Sequence, residues 1–375
     1  MKRISACLIA ALLASCSMDP KYVEPELPVP PSWPVGDAYL RQSESALPAL
    51  GYRDIFRDPR LQSLIAQALA NNRDLRIAAA NIAVAREQYR IQRAERLPQV
   101  DAGGGANVSG GGGNGGTRAN FSTNVGISNF EIDLFGRVAS LTRAQQNRYF
   151  ATEAAARATR LALVADVANA WLTYGADASL LRIAQETVTS AQESVRLTRA
   201  RLQGGIAPRT DLRQAEQILA AAQSDVAEQR TALAQDVNLL QLLVGAPIDP
   251  TLLPVSIEEA APRIAELPSG LDSRILLRRP DVLEAEYQLR AANAEIGAAR
   301  AALFPTISLT GLLGLASGAL TGLFSGGAFS WSAGANVNYP IFRAGAGRAG
   351  VRLSEAQRTA ALGSYERAIQ TAFRE

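Results

Sequence analysis

Residues 74–98 read DLRIAAANIAVAREQYRIQRAERLP and residues 281–305 read DVLEAEYQLRAANAEIGAARAALFP, so a proline-terminated segment occurs twice, at an offset of 207 residues (281 − 74). The same offset still relates Phe135 to Phe342. In each copy a charged, alanine-rich stretch reaches the proline. Short alternating segments with a glycine-rich loop follow, and then a second alanine-rich stretch begins. Because repetition at a long period reflects architecture, we predict two helix–strand–strand–helix repeats.

The first repeat contains a segment too long for an ordinary globular helix. Residues 137–203 contain no proline and a single interior glycine, Gly175, and helix-forming residues dominate. One continuous helix of this extent would be on the order of 100 Å long at about 1.5 Å per residue. Its apolar residues recur every three or four positions, as in coiled coils, and this register breaks around residues 175–179.

The long helix is predicted to end at the glycine pair 204–205, because glycine adopts the left-handed conformation of a helix end and Pro208 does not continue a helix. Thr210 or Asp211 can then cap a return helix with the same apolar rhythm. The two helices should form an antiparallel hairpin. The alternative is a plain hairpin within a larger bundle, with no partner at its tip.

Alternating apolar and polar residues predict strands after each proline, within residues 99–133 and 305–340 approximately. The clearest run, residues 121–133, has about the length that a tilted membrane strand needs, roughly 9–11 residues. The alternative is two soluble hairpins. Three aromatic residues lie near strand ends, where membrane barrels carry aromatic girdles: Trp331, Tyr339 and Phe342.

Four strands cannot close a membrane barrel by themselves. Open edges are not tolerated in hydrocarbon, and about eight strands is the lower limit for closure. The membrane part must therefore be shared between subunits. Three copies of the chain would supply a barrel of about twelve strands, wide enough to pass a solute.

The N-terminus carries the pattern of a bacterial lipoprotein signal. A basic start and an apolar run over residues 4–14 lead to Cys16, preceded by small residues. We predict a signal peptide over residues 1–15 and lipid attachment at Cys16. The alternative is an ordinary signal with a stray cysteine. Ser17 resembles the residue that follows the cysteine in lipoproteins sorted to the outer membrane, and the proline-rich residues 16–50 predict a lipidated, extended tether.

The amino-acid composition excludes most kinds of catalytic and metal site. The chain has no histidine, and its only cysteines are Cys7, inside the signal, and Cys16. These counts leave no thiol or imidazole for nucleophilic, acid–base or zinc chemistry, so no metal and no cofactor are predicted. The glycine-rich residues 103–116 lack the phosphate-loop pattern, and a net charge of +3 does not favour nucleic acid. We find no catalytic constellation and predict that the protein is not an enzyme.

The repeated plan resembles the TolC-like outer-membrane factors of tripartite efflux pumps and type I secretion systems. It is most similar to the lipoprotein members of the NodT type, which serve resistance–nodulation–division pumps. The combination of motifs, more than any single one, carries the resemblance over nearly the whole chain. These motifs are the lipobox ending at Cys16, RPDV at 279–282, AE at 285–286, LRAAN at 289–293, IGAAR at 296–300, LFPTI at 303–307, RL at 201–202 with Gly205, and DLRQA at 211–215.

The resemblance implies an α+β membrane protein. Long coiled-coil-like helical hairpins would form a periplasmic α-barrel, and four strands per chain would join a trimeric 12-stranded outer-membrane β-barrel. The expected partners are two further copies of the chain, a periplasmic adaptor, an inner-membrane resistance–nodulation–division pump, and outer-membrane lipid at the acylated cysteine. The residues expected to contact the adaptor are Arg201, Leu202, Gly205, Ile206, Ala207, Pro208, Thr210, Asp211 and Leu212.

The implied function is passive export of drugs or other toxic small molecules from the periplasm or the pump to the exterior. The protein would be lipid-anchored in the outer membrane and extend into the periplasm. One alternative is the outer-membrane duct of a type I protein secretion system. A second alternative is a structural periplasmic lipoprotein that does not conduct.

The predicted repeats cover residues 51–270 and residues 271–375, and they differ in length. The first uses 111 residues from Phe135 to Gly245 (245 − 135 + 1), with its helical hairpin at about 137–245, whereas the second has 34 from Phe342 to Glu375 (375 − 342 + 1). The second repeat is therefore expected to stop within its second long helix. Because helices in proteins depend on packing, a chain ending there is expected to assemble poorly or to leak.

Overall fold

The computed structural model describes residues 18–30, 51–110, 118–265 and 273–375. The α-helices in these ranges are α1 (Tyr52–Ile55), α2 (Pro59–Asn71), α3 (Arg73–Ala94), α4 (Arg137–Gln203), α5 (Arg209–Val244), α6 (Ile257–Ala260), α7 (Pro280–Ala301) and α8 (Ala346–Arg374). The strands are β1 (Asp101–Ser109), β2 (Arg118–Ile132), β3 (Thr306–Ser317) and β4 (Phe329–Asn338). Single 3₁₀ turns or short 3₁₀ helices lie at Pro250–Leu252, Ala261–Arg263, Ser273–Arg278 and Leu320–Gly322.

Within those ranges, no helix combines the length and the apolar character that a membrane span requires.

The order of elements confirms the two predicted repeats. The first runs α3–β1–β2–α4 and the second runs α7–β3–β4–α8. Contacts divide the chain differently from the repeats, into two compact units. One unit contains the segment up to Val29, Asn81–Ala154 and Leu276–Glu375, and the other contains Pro30–Ala80 and Ala155–Ile275.

The four strands form one antiparallel sheet in the order β1-β2-β3-β4, so each strand pairs with its neighbour in sequence. Ala102 lies opposite Val125, Val125 opposite Leu313, and Leu313 opposite Trp331, which makes one row across all four strands. The pairing of β2 with β3 shifts by one residue between Ile127 and Phe130. At this bulge Asn129 has a φ of 57°, and its N–H donates to Thr310 Oγ1 at 3.2 Å.

The long helix α4 continues through the position where its apolar register was expected to break. Gly175 is buried, and a Cβ there would lie 3.2 Å from Pro254 Cγ, so the absent side chain admits the segment after α5. One turn later the buried Ser179 hydroxyl donates to Glu258 Oε2 at 2.9 Å and accepts from the Ile257 N–H at 3.1 Å. The change of register therefore marks a packing site on an unbroken helix.

The unit that contains the hairpin has its own apolar core. Residues of α2, α4 and α5 meet there, and Trp171 is 1% exposed and donates its indole N–H to Leu252 O at 2.9 Å. Asp58 caps α2, accepting from the Arg60 N–H at 2.8 Å, and also pairs with the Arg263 guanidinium at 3.1 Å. Burial opposes its ionisation, but the hydrogen bonds and charge of Arg60, with the charge of Arg263, hold the pKa of Asp58 below its usual value.

The unit that contains the sheet packs α7 against α8 and the start of α4. Phe135 and Phe304 stack with ring centroids 4.8 Å apart and planes at 24°. Further along the same helices the ring centroids of Phe150 and Tyr287 lie 5.4 Å apart, and Arg148 forms an ion pair with Glu295. The contacts α4 makes with α7 thus join the first repeat to the second.

Candidate functional site

The turn between α4 and α5 is the first candidate site. Gly205 has a φ of 72°, its N–H donates to Leu202 O at 3.0 Å, and the Ile206 N–H donates to Arg201 O at 2.9 Å. This pair of hydrogen bonds is a Schellman motif with glycine at its left-handed position. The predicted end of the helix is therefore formed by the glycine that the sequence places there.

The predicted side-chain cap of the return helix is wrong. α5 begins after Pro208, whose extended backbone forms the N-cap without a side-chain hydrogen bond. The helix begins at Arg209, so Thr210 and Asp211 are already its second and third residues and neither occupies the N-cap position. Asp211 lies instead in the first turn, where a carboxylate interacts favourably with the positive end of the helix dipole.

The tip presents a mixed polar and apolar surface. Ile206 is 73% exposed although it is a large apolar side chain. Behind the tip, Glu216 of α5 accepts from Arg199 of α4 at 3.3 Å and from Arg213 at 2.9 Å, which ties the two helices together. The predicted tip residues Arg201, Gly205, Ile206, Pro208, Thr210 and Asp211 are exposed, and Leu202, Ala207 and Leu212 are half-buried.

The sheet presents a second candidate surface. Residues opposite each other on paired strands point to the same face, so Val125, Leu313 and Trp331 form an apolar row, and they are 51%, 60% and 69% exposed. Tyr339 follows β4 directly and Phe342 lies three residues further on, and both are exposed. β1 and β4 are the two edges of the described sheet, and every residue of both strands is exposed.

Cys16, the predicted lipidation site, lies outside the described residues. Residues 18–30, which follow it and are here called the arm, form no helix or strand and lie against α7 and α4. Asn293 Nδ2 donates to Pro20 O at 2.7 Å, and the Tyr22 hydroxyl donates to Glu286 Oε1 at 3.2 Å. The Arg290 guanidinium lies 4.9 Å from the centre of the Tyr22 ring.

Sequence reasoning described the arm only as a tether and missed where it docks. One signal was available in Gly297, which lies inside α7, in the last turns before Ala301, although glycine is a poor helix former. A glycine at such a position can mark a close approach of another segment. Here that segment is the arm.

A pair of carboxyl groups on the hairpin also went unnoticed. Burial and the neighbouring charge of Asp177 raise the pKa of Asp236 from 3.8 to about 6. Asp236 Oδ2 is buried and has no hydrogen-bond partner among the described residues. The described ranges contain no group of three or more histidine, cysteine, aspartate or glutamate residues that could hold a metal ion. Asp236 therefore retains its proton up to about pH 6, well above the range of an ordinary aspartate.

Comparisons with known proteins agree with this architecture. The family model described as outer membrane efflux protein matches residues 64–246 and 271–375. The toluene efflux pump outer membrane protein TtgC of Pseudomonas putida is 44% identical over 381 residues, covering 99% of this chain and 78% of that protein. The outer membrane protein OprJ of Pseudomonas aeruginosa is 40% identical over 378 residues, covering 99% and 78%. The structure of the open MtrE outer membrane channel of Neisseria gonorrhoeae superposes with a TM-score of 0.80 at 34% identity, covering 96% of this chain and 80% of that one.

Proposed function

The chain belongs to the outer membrane efflux protein family, and from this premise we propose that three copies of it form the passive duct of a tripartite efflux pump. It is an outer-membrane channel component of an efflux pump. The observation that carries the proposal is the open four-stranded sheet with its exposed apolar row, attached to a long helical hairpin.

The open edges of the sheet support a trimer. Among the described residues, β1 and β4 each have one side without a strand partner, and unpaired edges are not stable in hydrocarbon. Pairing β4 of one protomer with β1 of the next removes every edge when the ring closes. Three protomers of four strands would then surround a bore of about twelve strands, which is wide enough for small molecules.

A lipid anchor at Cys16 would attach the duct to the outer membrane. The arm that follows is docked on α7 through Pro20 and Tyr22, and only a few residues separate Pro20 from the proposed anchor in sequence. The diacylglycerol of a lipoprotein cysteine supplies two acyl chains, which suffice for stable membrane attachment, and the membrane strands would add to it.

The hairpin tip is the surface proposed to meet the periplasmic adaptor, through which the duct would couple to an inner-membrane resistance–nodulation–division pump. The exposed Ile206 supplies an apolar anchor, and the neighbouring Arg201 and Asp211 supply charges of both signs. A small apolar centre with a polar rim is the usual composition of a protein–protein contact.

The duct is proposed to act without catalysis and to export small toxic compounds. No step of transport requires a reacting group of the chain, because the pump supplies the energy. The relative named as a toluene efflux pump component makes small apolar solvents suitable test compounds.

Single-channel conductance of the purified protein in a planar lipid bilayer tests the proposal. A conducting duct gives discrete current steps that disappear when the protein is omitted. A protein that inserts into the bilayer and gives no current steps at any applied voltage would instead be a structural lipoprotein.

A further inference from the structure

One aromatic contact inside the chain joins the two repeats where strands give way to helices. Phe135 lies between the end of β2 and the start of α4, and Phe304 lies between the end of α7 and the start of β3. Their rings stack with centroids 4.8 Å apart. The exit of the first repeat from the sheet therefore packs on the entry of the second repeat into it.

The repeat places a copy of this contact elsewhere in the sequence. At the offset of 207 residues, Phe135 corresponds to Phe342 (135 + 207) and Phe304 corresponds to Leu97 (304 − 207). Phe304 and its counterpart Leu97 both directly precede a proline, in Phe304-Pro305 and in Leu97-Pro98. Phe342 is 86% exposed and Leu97 is 68% exposed, so the copied contact is not made within the protomer.

Strand pairing gives a second pair of facing residues that the repeat also duplicates. Ile132 of β2 lies opposite Ile307 of β3 at the same end of the sheet. The corresponding positions are Tyr339 (132 + 207) and Val100 (307 − 207), which lie just after β4 and just before β1. Tyr339 is 55% exposed and Val100 is 65% exposed.

Geometry prevents these residues from meeting within one chain. β1 and β4 are the two opposite edges of the sheet. With about 4.8 Å between neighbouring strands, the edges are roughly 14 Å apart. The strands alternate in direction, so the start of β1 and the end of β4 nevertheless lie at the same end of the sheet. A second copy of the chain, placed edge to edge, brings the two sets together.

We propose that Phe342 and Tyr339 of one protomer pack on Leu97 and Val100 of the next, and that this apolar contact seals the boundary between strands and helices at each subunit junction. The partner is a second copy of this chain, because only that partner carries the complementary half of the repeat. The inference rests on the proposed trimer and adds to it the residues that join its subunits. Exposed apolar side chains at both edges of the protomer are thereby buried in the assembly.

Pairs of introduced cysteines test this contact, because lipidation is expected to block the only native cysteine of the mature chain, Cys16. The double variant Phe135→Cys with Phe304→Cys sets the length of the cross-linker, because these two residues are in contact within one chain. The shortest thiol-to-thiol cross-linker that reacts with both of its cysteines is then used for all other pairs. The test pair is Leu97→Cys with Phe342→Cys, and the second test pair is Val100→Cys with Tyr339→Cys. The mismatched control is Ile91→Cys with Phe342→Cys. Ile91 is 66% exposed but lies within α3, six residues before Leu97, roughly 9 Å away at a helical rise of about 1.5 Å per residue.

Both test pairs are expected to give covalent dimers and trimers on a denaturing gel, and the mismatched pair is expected to remain monomeric. The native mass of each variant is measured in parallel. If a test variant has the native mass of a trimer but runs as a monomer on the denaturing gel after cross-linking, the proposed contact is wrong and the proposed trimer still holds. A protein whose native mass is that of a monomer in the membrane extract would overturn both the trimer and the inference.

Discussion

The Asp19 carboxylate lies in the space that the missing side chain of Gly297 leaves on α7, and a Cβ on Gly297 would lie 1.7 Å from Asp19 Oδ1. The same carboxylate accepts hydrogen bonds from Ser140 Oγ and Arg143 Nε, both at 2.6 Å. Asp19 follows the proposed lipidation site Cys16 by three residues. This space at Gly297, here called the notch, therefore lets the arm pack closely against α7 at Asp19.

Gly297→Ala should release the arm. The new methyl group would overlap Asp19 side-chain and backbone atoms, so the arm must move even though alanine is the better helix former. We expect trypsin to cleave after Lys21 faster in the variant than in the parent protein, measured by mass spectrometry of timed digests. Gly363→Ala in α8 is the matched control, because a Cβ there has nothing within 4 Å and should stabilise the helix by about 1 kcal/mol. Equal cleavage of Gly297→Ala and the parent would show that the notch does not hold the arm.

Gly205→Val should weaken adaptor binding without removing the protein from the membrane. A β-branched residue at a φ of 72° costs about 1–2 kcal/mol, and a Cβ at this position meets nothing within 4 Å, so the effect is confined to the turn. Cross-linking to the adaptor should fall several-fold at an unchanged amount of outer-membrane protein. The control Gly204→Ala is next to it, has no positive φ and meets only an ordinary contact at 3.6 Å, so it should cross-link normally. If Gly205→Val cross-links to the adaptor as well as the parent protein does, the hairpin tip is not the surface that binds the adaptor.

Cys16→Ala should abolish lipid attachment and leave the signal unprocessed by the lipoprotein peptidase, because the thiol is the acylated group. The measurement is metabolic labelling with a radioactive fatty acid followed by immunoprecipitation. Cys7→Ala is the control and should be labelled like the parent protein. Label retained by Cys16→Ala would show that the lipid is attached at another residue.

The carboxyl pair on the hairpin should make stability depend on pH. The pKa of Asp236 is about 6 in the folded protein and 3.8 for the free side chain, so the folded state binds more protons between these values. The free energy of unfolding contributed by Asp236 therefore falls as pH rises through this window and is lowest above about pH 6. Asp236→Asn should raise the unfolding midpoint at about pH 7.5 and have little effect at about pH 4, measured by circular dichroism. An equal effect of the substitution at both pH values would show that the pKa of Asp236 is not raised in the folded protein.

The sequence predicted the elements whose causes are local. The prolines at 98 and 305 separate helix from strand in both repeats, and the glycine at 205 is required by the left-handed turn that the structure contains. The repeat predicted the order of helices and strands because each copy must satisfy the same backbone hydrogen bonds. These features could be inferred without knowledge of any tertiary contact.

Features that depend on distant partners could not be inferred in this way. The register change at Gly175 has meaning only when Pro254 is packed against it, and the notch at Gly297 only when Asp19 fills it. The raised pKa of Asp236 depends first on its burial and then on the charge of Asp177 from the other helix of the hairpin. In each case a residue that looks ordinary in sequence takes its role from a segment far along the chain.

Export by living cells tests most directly the claim that the protein is the outer-membrane duct of an efflux pump. Bacteria that lack their own outer-membrane factor would be loaded with a fluorescent dye and supplied with this protein, fused to a return helix for the second long helix, together with its pump and its adaptor. Dye leaving the cells would be followed over time. Energy-dependent dye export restored by the protein, and reduced by Gly205→Val, is the predicted result. Dye retained by cells whose outer membrane contains the trimeric protein together with an active pump and adaptor would contradict the account.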